Sequence, residues 1–251
     1  RLMDNEFVQD NFNKEFIGLL KVIIEKSDCG AANVYASLVR LMDKDFVRAN
    51  FNKEFIGLLK VIIKGRKLGK DVDNVYDSLG KLMDNRFVKV NFNKEFIGLL
   101  KVITEKSGRD VERLYYYLGW LMDNRFVRAN FNKEFIGLLM VLSEKAGGGI
   151  KHAYDSFCRL IESRVVDGYN LEEALKLLII TIEKAGRGIN RVYSSLCRLI
   201  DRRVISKDNL EEALNLSLII IEKTGSDAAN VYDSLGRLTD KKFVRANFNK
   251  E

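Results

Sequence analysis

The segment Asn-Phe-Asn-Lys-Glu-Phe-Ile-Gly-Leu-Leu occurs four times in this chain, starting at Asn11, Asn50, Asn91 and Asn130. Diverged copies start at Tyr169 and Asp208, where the run becomes Asn-Leu-Glu-Glu-Ala-Leu. The steps between starts are 39, 41, 39, 39 and 39 residues. A fixed period in this range is the mark of a repeat architecture, in which each unit buries its apolar faces against its neighbours. The 251 residues therefore read as one tandem array, with repeats 11–49, 50–90, 91–129, 130–168, 169–207 and 208–246. Partial repeats, 1–10 and 247–251, flank them, as expected of a segment of a longer array or of irregular caps.

Each unit reads as two helices. Phe16, Leu19, Leu20, Ile23 and Ile24 recur at the i, i+3, i+4, i+7, i+8 spacing of an amphipathic helix over about Asn13 to Lys26. Ser27-Asp28-Cys29-Gly30 breaks the pattern. A second stripe, Val34, Leu38, Leu41 and Met42 with Phe46 beyond, predicts a helix from about Ala31 to Val47. Leu19, Leu20, Ile23, Leu38, Leu41 and their counterparts are the expected core. In the diverged units, Asn209 to Glu212 has the form of a helix-capping box. The two extra residues of the second unit fall between Lys64 and Lys70, in the inter-helix loop, where length change is tolerated. The expected fold is an all-α, right-handed superhelical solenoid of two-helix repeats, twelve main helices with no strand.

Composition agrees and excludes several chemistries. Proline is absent, which suits helices joined by short Gly/Asn turns. One histidine, His152, argues against a His-rich metal site and a Ser-His or Cys-His catalytic pair. Three cysteines, Cys29, Cys158 and Cys197, form no C-x-x-C pair, so neither a disulfide framework nor a zinc site is readable. A reducing, intracellular location follows as an expectation. No apolar run approaches the ~20 residues that span a bilayer, and no signal-peptide core opens the chain. No catalytic constellation recurs, so no enzyme, cofactor or metal is expected.

Positions that vary between units stand out against the uniform ones. The stretch Asn11 to Ile23 is repeated without change at Asn50 to Ile62 and Asn91 to Ile103. The second-helix tyrosine, Tyr35, recurs as Tyr76, Tyr115, Tyr154, Tyr193 and Tyr232, and is expected to pack between repeats. One window varies instead. Near the loop apex stand Cys29, Lys70, Arg109, Gly148, Arg187 and Ser226. Two residues before each tyrosine stand Asn33, Asn74, Arg113, His152, Arg191 and Asn230. A fixed scaffold with one variable polar patch per unit is the layout of a modular reader, although unconstrained loop residues also drift. Asn and Arg make bidentate contacts to adenine and guanine edges. A basic column, Arg40, Lys81, Arg159, Arg198 and Arg237, is interrupted by Trp120, and a second runs through Arg48, Lys89, Arg128 and Arg245. Such columns either track phosphates or simply keep a face solvated. The net charge of +7 suits nucleic acid or an acidic protein surface.

The loop pairs Gly69-Lys70, Gly108-Arg109, Gly147-Gly148, Gly186-Arg187 and Gly225-Ser226 precede a helix that in the first unit ends Arg40-Leu41-Met42. This layout resembles TAL-effector-like DNA-binding repeats, two-helix units with a Gly-flanked variable pair in the loop. The resemblance implies a DNA-binding superhelix in which loop residues read bases. The leading expectation is thus a monomeric nucleic-acid-binding array, double-stranded DNA before RNA. The variable window holds the base-reading candidates, and the column from Arg40 to Arg237 holds the phosphate candidates. The alternative is a protein- or peptide-binding solenoid scaffold. Arg/Lys columns flanking the variable row favour the first, an apolar patch the second.

Overall fold

The computed structural model describes residues 7, 9, 12–26, 31–65, 70–185, 198–199, 209–224, 227, 230–231, 234 and 237. The described residues are mostly helical, with no strand, so the chain is all-α. It divides into two compact units, Arg1–Asp123 and Asn124–Glu251.

The first unit contains α1 (Lys14–Lys26), α2 (Ala31–Met42), α3 (Asp45–Ala49), α4 (Lys53–Lys64), α5 (Lys70–Asp84), α6 (Arg86–Asn91), α7 (Lys94–Lys106) and α8 (Val111–Asp123). Helix α1 packs on α4 and α4 on α7, while α2 packs on α5 and α5 on α8. Equivalent helices of successive repeats therefore lie side by side in two layers. The second unit contains α9 (Arg125–Ala129), α10 (Lys133–Ala146), α11 (Ile150–Glu162), α12 (Leu171–Ala185) and α13 (Leu210–Thr224). There α10 packs on α12 and α12 on α13, again equivalent helices of successive repeats. The loop insertion near Lys67 lies outside the described residues.

The repeated Asn-Phe-Asn-Lys-Glu-Phe has a local reason. The side chains of Asn13, Asn52, Asn93 and Asn132 accept the backbone N–H of Phe16, Phe55, Phe96 and Phe135 at 2.8–3.0 Å. Each satisfies a donor that a helix start otherwise leaves open. The two phenylalanines of each motif then link repeats edge to face. Ring centroids run Phe16–Phe51 at 5.7 Å, Phe51–Phe55 at 6.1 Å, Phe55–Phe92 at 6.0 Å and Phe92–Phe96 at 6.1 Å. Aromatic pairs in this geometry add to the burial they bring.

The second helix differs from expectation. The stretch read as one helix from Ala31 to Val47 is two, α2 and α3, and the same break recurs before α6 and α9. Before α6 and α9 the cause is a second asparagine cap. Asn85 adopts extended backbone and its side chain accepts from Phe87 and Val88 N–H, at 2.9 and 3.2 Å. Asn124 does the same for Phe126 and Val127. Lys44 takes the extended conformation without a side-chain cap, and Arg48 Nε instead donates to the Met42 carbonyl at 2.9 Å.

Leu19, Ile23, Leu38 and Leu41 are buried as expected. Leu20 is only half-buried. Its counterpart Leu59, on α4 between α1 and α7, is fully buried. Between α11 and α12 the short third helix is replaced by a turn. Asn170 takes the place of a motif phenylalanine, accepting from Asp167 N–H at 2.8 Å and donating to the Val165 carbonyl at 3.2 Å. In that turn Arg164 sits at φ 60°, a conformation that costs residues with a Cβ roughly 1–2 kcal/mol. Arg164→Gly is expected to raise stability by about 1 kcal/mol, read as a higher denaturation midpoint.

Candidate functional site

Two features position polar chemistry at the repeat junctions, and the first is the inter-helix loop. Gly108 and Gly147 open the loops before α8 and α11 at φ 53° and 48°, which glycine adopts without a steric cost. Each leads a single 3-10 turn, Gly108–Asp110 and Gly147–Gly149. Arg109 is exposed in the first and Gly148 lies in the second. Lys70 is the first residue of α5. Asn33 on α2 is exposed, Asn74 on α5 half-buried, Arg113 on α8 exposed and His152 on α11 half-buried. Asn230 is exposed and its carbonyl accepts the Ser234 hydroxyl at 2.8 Å. Cys29, Arg187, Arg191 and Ser226 lie outside the described residues. The variable positions are not uniformly available: Arg113 Nε donates to the Tyr117 hydroxyl at 3.1 Å and its guanidinium lies 5.8 Å from that ring. Arg109 has no ionic partner among the described residues.

The basic column behaves differently from a row of free cations. Arg40 Nη2 lies 2.8 Å from Asp73 Oδ1 and 3.7 Å from Asp77 Oδ1, both on the next repeat, and donates to Ser37 Oγ at 2.9 Å. Arg159 pairs with Asp155 at 3.4 Å, one helical turn away. Lys81 is exposed with no carboxylate partner among the described residues, and Arg198 and Arg237 are exposed. Pairs at this exposure contribute little to stability. Their consequence is for recognition: a phosphate at Arg40 must compete with two carboxylates.

The second feature is a cleft between α5 and α8, about 540 Å³ in volume. Ser78, Lys81, Leu82 and Asn85 form one wall, and Glu112, Tyr115, Tyr116, Gly119, Trp120 and Asp123 the other. Tyr115 is buried, Trp120 half-buried and Tyr116 68% exposed, so two aromatic rings are presented toward solvent. Asn85 Nδ2 donates to Asp123 Oδ1 at 2.9 Å. The residues at the same repeat positions between α2 and α5 close that junction instead. There Arg40 bridges to Asp73 and Asp77, and Lys44 Nζ reaches Asp84 Oδ2 at 2.6 Å. Lys44 also lies across Gly80, its Cε 3.0 Å from where a Cβ at that glycine would stand. Between α5 and α8 the same positions carry Lys81, Glu112, Tyr116, Asn85 and Asp123, and the ionic closure is gone. The sequence marks Trp120 as an interruption of the basic column, partly buried beside its neighbours, as it is. The cleft follows once Tyr116, one turn earlier, is placed beside it.

Comparison with protein-family models, with curated proteins and with solved structures finds no match. The site is therefore read from its own chemistry.

Three of the repeated tyrosines are structural, Tyr35 is half-buried, and Tyr193 and Tyr232 lie outside the described residues. Tyr76, Tyr115 and Tyr154 are buried, so none offers its ring to a base. Burial pushes the Tyr76 hydroxyl well above its ordinary pKa, with Tyr115 adding to the shift. Burial does the same at Tyr154, partly offset by its hydrogen bond to Ser143. Such groups stay neutral when folded but ionise near pH 10 when unfolded. The unfolded state then binds fewer protons, and stability falls as pH rises through about 10. A denaturation midpoint that decreases between pH 9 and 11 is the expected result. Cys158 is buried beside Asp155 and Glu162. Burial first, then those carboxylates, raise its thiol, which stays protonated and unreactive at neutral pH. Among the described residues no group of His, Cys, Asp and Glu is arranged to hold a metal ion, and no helix is long and apolar enough to cross a membrane.

Proposed function

We propose that this chain is a non-enzymatic, intracellular, monomeric scaffold that binds a protein or peptide, its repeats continuing as a right-handed superhelical α-solenoid. The observation that carries this reading is the α5–α8 cleft. It is concave, walled by Tyr116, Trp120 and Leu82, and fringed by a few polar groups, the composition expected of a recognition site. Aromatic residues of this kind are enriched where proteins bind proteins. Arg40, the first member of the basic column, is engaged by carboxylates of the next repeat, which weakens the case for a phosphate-tracking stripe.

A specific observation supports the second reading, a TAL-effector-like DNA-binding array. Arg109 projects from a turn opened by a positive-φ glycine, and Lys64 and Lys106 are exposed at the preceding helix ends. On that reading Arg109 contacts a base and the lysines contact phosphates.

Fluorescence anisotropy separates the two. Labelled basic, acidic and apolar peptide pools, duplex DNA and single-stranded RNA are titrated with the protein at two salt concentrations. A scaffold binds one peptide pool and loses it on Trp120→Ala. An array that binds only nucleic acid, with a steep salt dependence that Arg109→Ala reduces, overturns the scaffold reading.

A further inference from the structure

The two junctions of the first unit are internal controls for each other. Between α2 and α5 the space beside Asp73 is occupied by the chain's own guanidinium, Arg40, held at 2.8 Å by Asp73 and at 3.7 Å by Asp77. Between α5 and α8 the acidic position is retained as Glu112, but the arginine is replaced by Lys81 and Asp77 by Tyr116. Lys81 itself is replaced on the facing helix by Trp120. The carboxylate remains, the internal guanidinium is gone, and two aromatic rings have been added to a cleft of about 540 Å³.

We infer that the α5–α8 cleft binds an arginine side chain of a partner peptide, with Glu112 as the carboxylate and Trp120 and Tyr116 as the stacking faces. This rests on the scaffold reading and names what the site takes. A guanidinium is planar, weakly hydrated, and suited to stacking on an aromatic ring while donating from its edge to a carboxylate. An ammonium is compact and strongly hydrated and uses such a site less well. Glu112 has no ionic partner among the described residues, so its charge is open to a cation, whereas Asp123 already accepts from Asn85. Lys81 stands on the opposite wall from Glu112, is exposed, and has no ionic partner among the described residues, so its head can move into solvent as the ligand enters.

The pairing in the α2–α5 junction supplies a test that needs no knowledge of the natural partner. Lys81→Arg puts the chain's own guanidinium at the position of Arg40. It is expected to occupy Glu112 from within and to weaken peptide binding. The measurement is isothermal titration calorimetry of the full chain with three peptides of one sequence, carrying arginine, lysine or citrulline at the central position. Citrulline keeps the shape and removes the charge. The arginine peptide is expected to bind at least about tenfold tighter than either of the others. Glu112→Gln and Lys81→Arg should each remove most of that preference. Thermal midpoints of both variants, expected near wild type because Lys81 is exposed and Glu112→Gln keeps the shape of a half-buried side chain, exclude unfolding as the cause. If all three peptides bind equally and Trp120→Ala still weakens them, the scaffold reading stands and the arginine assignment is overturned. If no peptide binds, both fall. If Lys81→Arg leaves arginine binding intact, the inferred equivalence of the two junctions is wrong.

Discussion

Phe55→Ala is expected to cost about 3–5 kcal/mol and to loosen the repeats on both sides of it. Phe55 is fully buried on α4 and stands at the middle of the ring ladder, with Phe51 at 6.1 Å and Phe92 at 6.0 Å. Truncation removes the side chain from the core and both edge-to-face contacts, leaving a cavity between α1 and α7 that rigid neighbours fill only in part. Phe12→Ala is the matched control: Phe12 is 44% exposed and contacts Phe16 at 6.2 Å, so its loss should be small. Denaturant midpoints give the size of the effect, and hydrogen exchange gives its reach. Loss of protection in α1 and α7 as well as α4 is expected. A loss confined to α4 would show that the ladder does not couple repeats.

The second large effect concerns one buried hydroxyl. Thr104 Oγ1 donates to the Leu100 carbonyl at 2.6 Å and lies 2.8 Å from the Tyr115 hydroxyl, which must then donate to it. In the next repeat Ser143 repeats the arrangement with Leu139, at 2.7 Å, and Tyr154, at 3.1 Å. In the preceding repeat Ile63 stands in that place, and the buried Tyr76 hydroxyl has no hydrogen-bond partner. Thr104→Val keeps the shape but removes the Tyr115 hydroxyl's hydrogen bond to Thr104, at an expected cost of about 1–3 kcal/mol. Tyr115→Phe removes the donor itself and should cost less, about 0.5–1.5 kcal/mol. Tyr76→Phe discards a hydroxyl already without a partner and should cost nothing or stabilise. Equal losses at Tyr76 and Tyr115 would contradict this ordering.

The long helices were legible because their signals are local. The apolar spacing of Phe16, Leu19 and Ile23 and the asparagine at Asn13 act within one turn, and α1 begins where they say. The break between α2 and α3 was missed for a related reason. Apolar residues continue in phase through Met42 and Phe46, so the periodicity hides the change of direction. Asn85 and Asn124, whose side chains cap the next short helix, were the available signal. The basic column illustrates a limit of another kind. That Arg40 and Lys81 share a repeat position is written in the chain, but the pairing of Arg40 with Asp73 depends on how one repeat sits on the next. Trp120 was visible as an exception. Its neighbours across the cleft, Lys81, Leu82 and Asn85, come from the previous repeat and were not readable without the packing of α5 on α8.

The central claim is that the α5–α8 cleft is where a partner peptide binds. Trp120 is the one tryptophan in the chain and forms part of the cleft wall, so its fluorescence reports on this site with no label. Wild-type protein is titrated with the arginine peptide while tryptophan emission and its quenching by acrylamide are followed. The account predicts a saturable change in emission and a loss of quenching, with the same midpoint as the calorimetric titration. Calorimetric binding with unchanged emission and quenching would place the peptide elsewhere and contradict the account.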